Sequence, residues 1–569
     1  MFAPKVILLF LGLLLLSSLG AQQAGRYDIV ICEIMADPSP PVGLPGVEYI
    51  EIRNVSATPL PLGGWKLSDA SGTATINTAF ILQPDSALIL CSGSSASSLA
   101  VYGRTISVSG FPSLDNDGEE LVLRSPQNRV IHAVAYSAEW YGNEVKREGG
   151  WSLEMIDPRN PCGGNNWKAS QDNSGGTPGR TNSVNAFNPD GEPPRLGRTY
   201  TLDSLTAVLV FNEPLDSLSA AAVSNYSVDG LTVNSATPGP LSSAVQLRLA
   251  APLQPGRVYM VSVSRILDCS GNAIGRYNKA KLGLAESPAP RDVIINELLF
   301  NPRSGGNDYV EIYNRSNKTI DTRDLYIANR TASGVPGSVR RISEVPFVLF
   351  PGDYIAVTEA PEALHLHYLV QDPDAVLRLS ALPSFPDDEG HALLLNRNGT
   401  IIDEVPYSDK WHFPLIANAE GVSLERLNPD KPSEQPDNWH SAASTAGYGT
   451  PAYRNSQYLQ PTTAQAMIGL SPKVFSPDND GHDDLAQIRY TLPEPGFMAN
   501  IFILDATGRP VRHLARNQLL GLTGSWHWNG LDEKRQKLPV GIYVVLAELF
   551  NLKGQKKTFR FSIVLAGRL

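Results

Sequence analysis

Short runs in which apolar and polar residues alternate recur along the chain, each closed by turn-forming residues. Tyr49–Asn54 (YIEIRN), residues 65–69 (WKLSD), 87–92 (ALILCS), 120–125 (ELVLRS) and 130–137 (VIHAVAYS) all have this form. A period of two marks a strand with one face on a core. Between the runs lie LPLGG (60–64), QPDS (83–86), SPQNR (125–129) and NRNG (396–399), whose Pro, Gly, Asn and Asp suit tight turns. Strands at this spacing predict antiparallel pairing in a β-sandwich or small barrel.

The pattern occurs twice. IVICEIMADP from Ile29 matches VIINELLFNP from Val293, and VEYIEIRN from Val47 matches NDYVEIYN from Asn307. FILQPDSALIL from Phe80 matches FVLFPGDYIAV from Phe347. Further on, GWSLEMIDP matches GVSLERLNP, and NNWKASQDNSGGTPGRTNS matches DNWHSAASTAGYGTPAYRNS. The offset grows only from 264 (Glu33 to Glu297) to 271 (Trp140 to Trp411), so the copies are collinear and the domain is duplicated.

The order of these motifs, from INEIM-like and EYIEI-like strands to a closing NW..S....GTPG..NS, resembles the lamin-tail domain of bacterial exported proteins. Residues 27–184 and 292–457 carry it. The resemblance implies an Ig-like sandwich with an interaction or scaffolding role. Leu325-Tyr326 replaces Gly64-Trp65 in the second copy, which also lacks counterparts of Cys91 and Cys162. No heptad rod accompanies the domains, which removes a nuclear-filament reading.

Residues 193–285 contain FNEPLD, LQPGRVYMVSV and DCSGN. This order resembles the bacterial Ig-like domain of surface proteins, and Pro-Gly and Gly-Asn turns between alternating runs agree with it. Residues 462–569 hold FSPDNDGHDD, GSWHWNG and LPVGIYVV, and resemble the C-terminal Ig-like domain of the flagellar hook-capping protein and of secreted Bacteroidetes proteins. There the resemblance implies a secretion or anchoring signal of the type IX route. Trp526 and Trp528 are expected to fill one face of that sandwich.

Composition narrows the class. At 569 residues the chain is long enough for three to five domains. Its 48 Gly and 44 Pro fit many short strands and turns, and 18% charged residues lies below the usual share of about 25%. The net charge of −10 gives no general footprint for nucleic acid. Lys5, the apolar run from Val6 and the small residues Ser18, Gly20 and Ala21 form a secretory signal peptide over residues 1–21, an uncleaved anchor being the alternative. No later stretch is apolar enough for a membrane helix.

Export permits disulfides among Cys32, Cys91, Cys162 and Cys269. Four cysteines allow three pairings, and Cys91 with Cys162 is the expected one. Asp478, Asp480, Asp483 and Asp484 lie close together around Gly481, and such carboxylates can wrap Ca²⁺, although the EF-hand spacing is missing. The acidic stretches 114–120 and 386–390 read as hairpin turns. His365 and His367 would share a face if extended, with a surface pair expected over a ligand pair. The chain has no GxSxG elbow, P-loop or dinucleotide fingerprint. Trp65, Trp140, Tyr141, Trp151, Trp167, Trp411 and Trp439 are expected in the cores, a sugar-stacking platform being the alternative.

The sequence therefore predicts an all-β chain of tandem Ig-like β-sandwiches: a signal peptide (1–21), lamin-tail-like domain (27–184), bacterial Ig-like domain (193–285), second lamin-tail-like domain (292–457) and C-terminal Ig-like domain (462–569). The expected function is a non-enzymatic, exported or cell-surface adhesion or scaffold array that binds a surface protein or polysaccharide, with Ca²⁺ as the sole candidate cofactor. A carbohydrate-binding accessory protein would need an exposed aromatic strip. A secreted hydrolase of nuclease or phosphatase type would need histidines and carboxylates gathered in one pocket.

Overall fold

All seven residues of strand Ile29–Met35 are buried, and so are all seven of its counterpart Val293–Leu299. Alternation with one wet face does not produce this; a strand buried on both sides needs two covers. On one side Ile29, Ile31 and Ile34 join Ile50, Ile52, Leu67, Leu88, Leu123 and Leu153 in the sandwich core. On the other, Val30 and Cys32 pack with Met155, while Met35 packs with Leu44, Tyr49, Ile89, Cys91 and Leu99. A register shift between Ile31 and Glu33, and another between Ile295 and Glu297, mark a β-bulge at the same place in both copies.

A computed structural model describes residues 23–162, 165–459 and 466–567; residues 1–21, expected from the sequence to be a signal peptide, lie outside them. Two units divide the chain. The first comprises Met1–Arg198, Thr206–Ala250 and Val261–Ala280, and the second Thr199–Leu205, Ala251–Met260 and Lys281–Leu569. Among the described residues no helix is long and apolar enough to cross a membrane.

In the first unit a six-stranded sheet runs in the order Trp167–Ala169, Leu153–Met155, Ile29–Met35, Tyr49–Asn54, Ala87–Cys91, Thr105–Ser107. It faces a four-stranded sheet of Val130–Ala135, Glu120–Arg124, Trp65–Ser68 and Thr73–Ile76 across the shared core. The Ig-like module follows, with Thr206–Phe211, Ala244–Leu249 and Val233–Pro238 paired antiparallel.

The second unit repeats the lamin-tail-like plan. Its six-stranded sheet is Trp439–Ser441, Leu424–Arg426, Val293–Leu299, Tyr309–Asn314, Tyr354–Thr358, Val376–Arg378. The last pair is parallel in both copies. Its four-stranded partner holds Arg340–Arg341, Leu325–Asn329, Glu389–Asn396 and Ile401–Ser408. The C-terminal module adds a three-stranded and a five-stranded sheet, with Trp526 and Trp528 buried between Tyr490, Phe475 and Tyr543. The chain is thus all-β, built of tandem sandwiches.

One local expectation changes. His365 and His367 sit on a short helix, Pro361–His367, rather than an extended segment. Residues two apart on a helix do not share a face, so the two imidazoles diverge.

Candidate functional site: buried carboxylates that seat each domain's returning tail

Three glutamates occupy the covered face of each lamin-tail-like sheet. Glu33 stands opposite both Glu51 and Glu154 in register, and Glu297 stands opposite Glu311 and Glu425. All six are fully buried. Buried carboxylates are costly unless hydrogen-bonded, and the chain's own returning tail supplies part of the donors, the neighbouring strands and loops the rest. Tyr49 Oη, Ser152 Oγ and the Thr177 N–H donate to Glu33 Oε1 at 2.7, 2.7 and 2.8 Å. Thr177 Oγ1 and Ser183 Oγ donate to Glu154 at 2.8 and 2.7 Å, and Gly179 N–H to Glu51 Oε2 at 2.5 Å.

The second copy reproduces the arrangement. Glu297 accepts from Tyr309 Oη at 2.7 Å, from the Thr450 N–H at 2.9 Å and from Ser423 Oγ. Thr450 Oγ1, Ser456 Oγ and the Gln457 N–H donate to Glu425 at 2.9, 2.9 and 2.8 Å. Close approach of the tail requires glycine before each threonine. A Cβ at Gly176 would lie 2.8 Å from both Glu33 Oε1 and Tyr49 Oη, and one at Gly449 would lie 2.7 Å from Tyr309 Oη.

Burial raises the carboxyls of Glu33, Glu51, Glu297, Glu311 and Glu425 above the ordinary range. Glu33 is pushed up to about 7 by burial and then by the Glu154 charge, Glu51 to about 8 by burial and then by Glu33, and Glu425 to about 8 by burial and then by Glu297. Glu297 and Glu311 rise for the same first reason. Every donor named is a hydroxyl or an amide, so the carboxylates act as a seat for the tail.

The seated tail leads into the next module. In the first unit Asn182 Nδ2 holds Cys32 O and Met155 O at 2.8 Å each, and farther along Asn272 Nδ2 donates to Asp190 O at 3.1 Å. In the second, Ser456, which donates to Glu425, also accepts the Leu522 N–H at its carbonyl at 2.9 Å, and Gln457 Nε2 donates to Leu520 O at 3.1 Å. Phe413, Met498 and Leu519 form an apolar cluster at that joint.

The copies differ at one coupled pair. His132 Nδ1 accepts the Ile31 N–H at 3.1 Å, and Asp403 Oδ2 takes the same place for Ile295 at 2.8 Å. Arg426 stands where the first copy has Met155, and its Nη2 pairs with Asp403 at 2.9 Å with both side chains buried.

The cysteines pair otherwise than expected. Cys162 is bonded to Cys269, with Cα atoms 6.2 Å apart, while Cys32 and Cys91 are free and buried. Cys91 belongs to a central strand and packs beneath Leu44 and Leu99, whereas Cys162 lies in the loop after Leu153–Met155. Cys91 with Cys162 therefore does not form.

Of the four aspartates singled out near the C-terminal module's start, Asp478, Asp480 and Asp484 bring carboxylate oxygens within 4.8 Å of one another, and Asp483 lies outside the group. Asp484 accepts the N–H groups of Asn479 and Gly481 at 2.6 and 2.9 Å, and Asp483 sits in a left-handed turn at φ 49°. A second acidic group, Asp190, Glu213 and Asp268, was not apparent in the sequence because its members are far apart. The aromatic residues pack inward: Trp65, Tyr141 and Trp439 are buried, and Trp140, Trp151, Trp167 and Trp411 lie against the cores. Trp140 stacks on Trp167 with centroids 5.9 Å apart, and Trp411 lies tilted against Trp439 at 6.4 Å.

No curated protein matches the chain. Among solved structures, the S-layer protein rSbsC is 12% identical with a TM-score of 0.16, covering 66% of this chain and 55% of its own. A DUF4876 family protein from Bacteroides thetaiotaomicron is 12% identical with a TM-score of 0.18, covering 37% of this chain and 79% of its own. A Ca²⁺-stabilized adhesin of an Antarctic bacterium that binds ice is 9% identical with a TM-score of 0.11, covering 95% of this chain and 99% of its own. The chain thus spans about half the length of the S-layer chain. The Lamin Tail Domain family model matches two regions, which include Glu33, Glu51, Glu297 and Glu311 and stop short of Glu154, Glu425 and the seated tails. The matched regions are residues 22–138 and 286–409, one in each of the duplicated domains.

Proposed function

We propose that this chain is an exported, non-enzymatic scaffold or adhesion array at the surface of a Gram-negative bacterium of the Bacteroidetes type. The observation that carries the reading is the repetition of one assembly: a lamin tail domain whose tail is seated on buried carboxylates and continues directly into an Ig-like module. Repeating a weak binding face raises avidity by orders of magnitude when both copies engage. The leader at residues 1–21 and the Cys162–Cys269 bond support an oxidising, extracytoplasmic setting. The C-terminal module serves as the type IX secretion or anchoring signal, and Asp478, Asp480 and Asp484 hold Ca²⁺. The partner is a surface protein or polysaccharide of the same envelope.

The test is add-back binding. Purified full chain is added to producer cells lacking it, and retained protein is measured against concentration. Saturable retention that falls at least about ten-fold when one lamin tail domain is deleted supports the array; retention that never saturates, or that ignores the deletion, overturns it.

A further inference from the structure

Tyr313 shares a face of strand Tyr309–Asn314 with Glu311 and stands opposite Tyr354 of the neighbouring strand. Their rings stack with centroids 4.6 Å apart. The seated tail of the second domain passes beside them, since Gln457 donates to Glu425 and Tyr458 follows it. Burial, and then the Tyr458 hydroxyl and the Asp430 carboxylate, hold the Tyr313 phenol above its ordinary range, while Arg315 and Arg454 act the other way. Burial likewise raises Tyr354, with Tyr313, Tyr458 and Arg454 again among its neighbours. The Arg454 guanidinium lies 5.2 Å over the Tyr458 ring. All three tyrosines are half-buried and Arg454 is exposed. Among the described residues none of the three phenol hydroxyls has a hydrogen-bond partner, and the Arg454 guanidinium has neither a hydrogen bond nor an ion pair. Arg315 is paired with Asp430 at 3.0 Å, so Arg454 is the cation of this patch left without an anion.

The first copy lacks this group. Arg53 and Ala87 hold the paired strand positions, Asn185 stands in place of Tyr458 and Thr181 in place of Arg454. The carboxylate seat is common to both copies, so building it does not require the tyrosines. Aromatic rings with a polar tip, together with a guanidinium, are groups that recognise sugars: the rings pack on C–H surface, the hydroxyls donate and accept, and arginine pairs with carboxylate. A standard protein interface instead covers about 800 Å² a side around an apolar centre. No exposed large hydrophobic residue lies on Tyr309–Asn314, on Tyr354–Thr358 or on the tail from Thr450 to Tyr458. The unpaired Arg454 sets the sign of the ligand. We propose that Tyr313, Tyr354, Tyr458 and Arg454 form a binding platform for a polysaccharide of carboxylated sugars, the uronic acids. This rests on the surface-array reading and gives the second copy a ligand that the first does not share.

The experiment measures binding of the full chain to polygalacturonate, polyglucuronate and alginate, and to the carboxyl-reduced, neutral form of each, by affinity electrophoresis. At least one acidic polymer should retard the chain saturably, and its neutral form should bind at least about ten-fold more weakly. Arg454→Ala, at an exposed position, should weaken the acidic polymer by about ten-fold and bring it level with the neutral form. Tyr354→Ala should weaken both forms, and Tyr354→Phe, which removes only the hydroxyl, supplies a second reading if the alanine variant fails to fold. Arg53→Ala in the first copy should change nothing. Binding to none of the three acidic polymers, or binding that Arg454→Ala and Tyr354→Phe leave unchanged, overturns the proposal. Retention on producer cells that falls when a lamin tail domain is deleted yet ignores both substitutions would leave the array standing and remove this site. Retention that both substitutions weaken while no polymer binds would make the patch a protein contact and overturn the glycan class.

Discussion

Thr177 closes two buried carboxylates at once: its N–H donates to Glu33 at 2.8 Å and its hydroxyl to Glu154 at 2.8 Å. Thr450 does the same for Glu297 and Glu425, both at 2.9 Å. Replacing either threonine by valine keeps the shape and the N–H but leaves one buried acceptor short of a donor. The expected cost is about 1–3 kcal/mol, read as a lower urea midpoint for the domain concerned. An unchanged midpoint for both variants would show that the threonine hydroxyls contribute nothing to seating the tail.

Stability should fall on the alkaline side of neutrality. Glu33 titrates at about 7 and Glu51 and Glu425 at about 8, against an ordinary 4.5. Between these values the folded state binds more protons than the unfolded chain, so their contribution is full below pH 4.5 and is lost as pH rises through about 7 to 8. The buried His132 and His412 run the other way. Burial depresses them to about 3 and 4 from 6.5, so their contribution is full above pH 6.5 and is lost below it. From pH 6.5 to 8 the histidine slope is spent and the carboxyl slope remains, so the urea midpoint should drop across that window. Glu51→Gln should flatten the drop.

Arg426 and Asp403 form a fully buried ion pair where the first copy has Met155 and His132. Arg426→Met alone strands the Asp403 carboxylate and should destabilise the second domain by about 3–5 kcal/mol. Arg426→Met with Asp403→His restores the chemistry of the first copy and should recover most of that loss. Denaturant midpoints of the two variants decide it: equal losses would mean that the pairs are not interchangeable solutions to the same site.

The Cys162–Cys269 bond closes a separation of 107 residues. Loop-closure entropy over such a span is worth about 4–5 kcal/mol, with engineered cases commonly nearer 2–4. Cys162→Ser should lower the first unit's thermal midpoint, while Cys91→Ser should leave the disulfide peptide intact in a non-reducing digest. A Cys91-containing disulfide peptide would contradict the pairing.

Alternating strands and the duplication were legible in the chain, because they depend on local periodicity and self-similarity. The carboxylate seat was not, although Glu33, Glu51 and Glu154 recur as Glu297, Glu311 and Glu425. A period of two shows that a strand has a polar face; it does not show whether water or the chain's own tail covers it. The cysteine pairing depended on how the loop bearing Cys162 meets the DCSGN turn, a contact with no local trace. Asp483 falls out of the acidic group for a related reason, since sequence spacing does not reveal which carboxylates a left-handed turn brings together. The tryptophans were readable as core from composition of sandwich domains, and the structure packs them there.

The central claim is export of an intact, oxidised array, and the most direct test is protease treatment of intact producer cells followed by non-reducing mass spectrometry of what is released. The account predicts that the protease removes the chain without lysis, and that the fragments include a peptide joining Cys162 to Cys269 with Cys32 and Cys91 as free thiols. A chain protected until the cells are broken, with four free thiols, would contradict it.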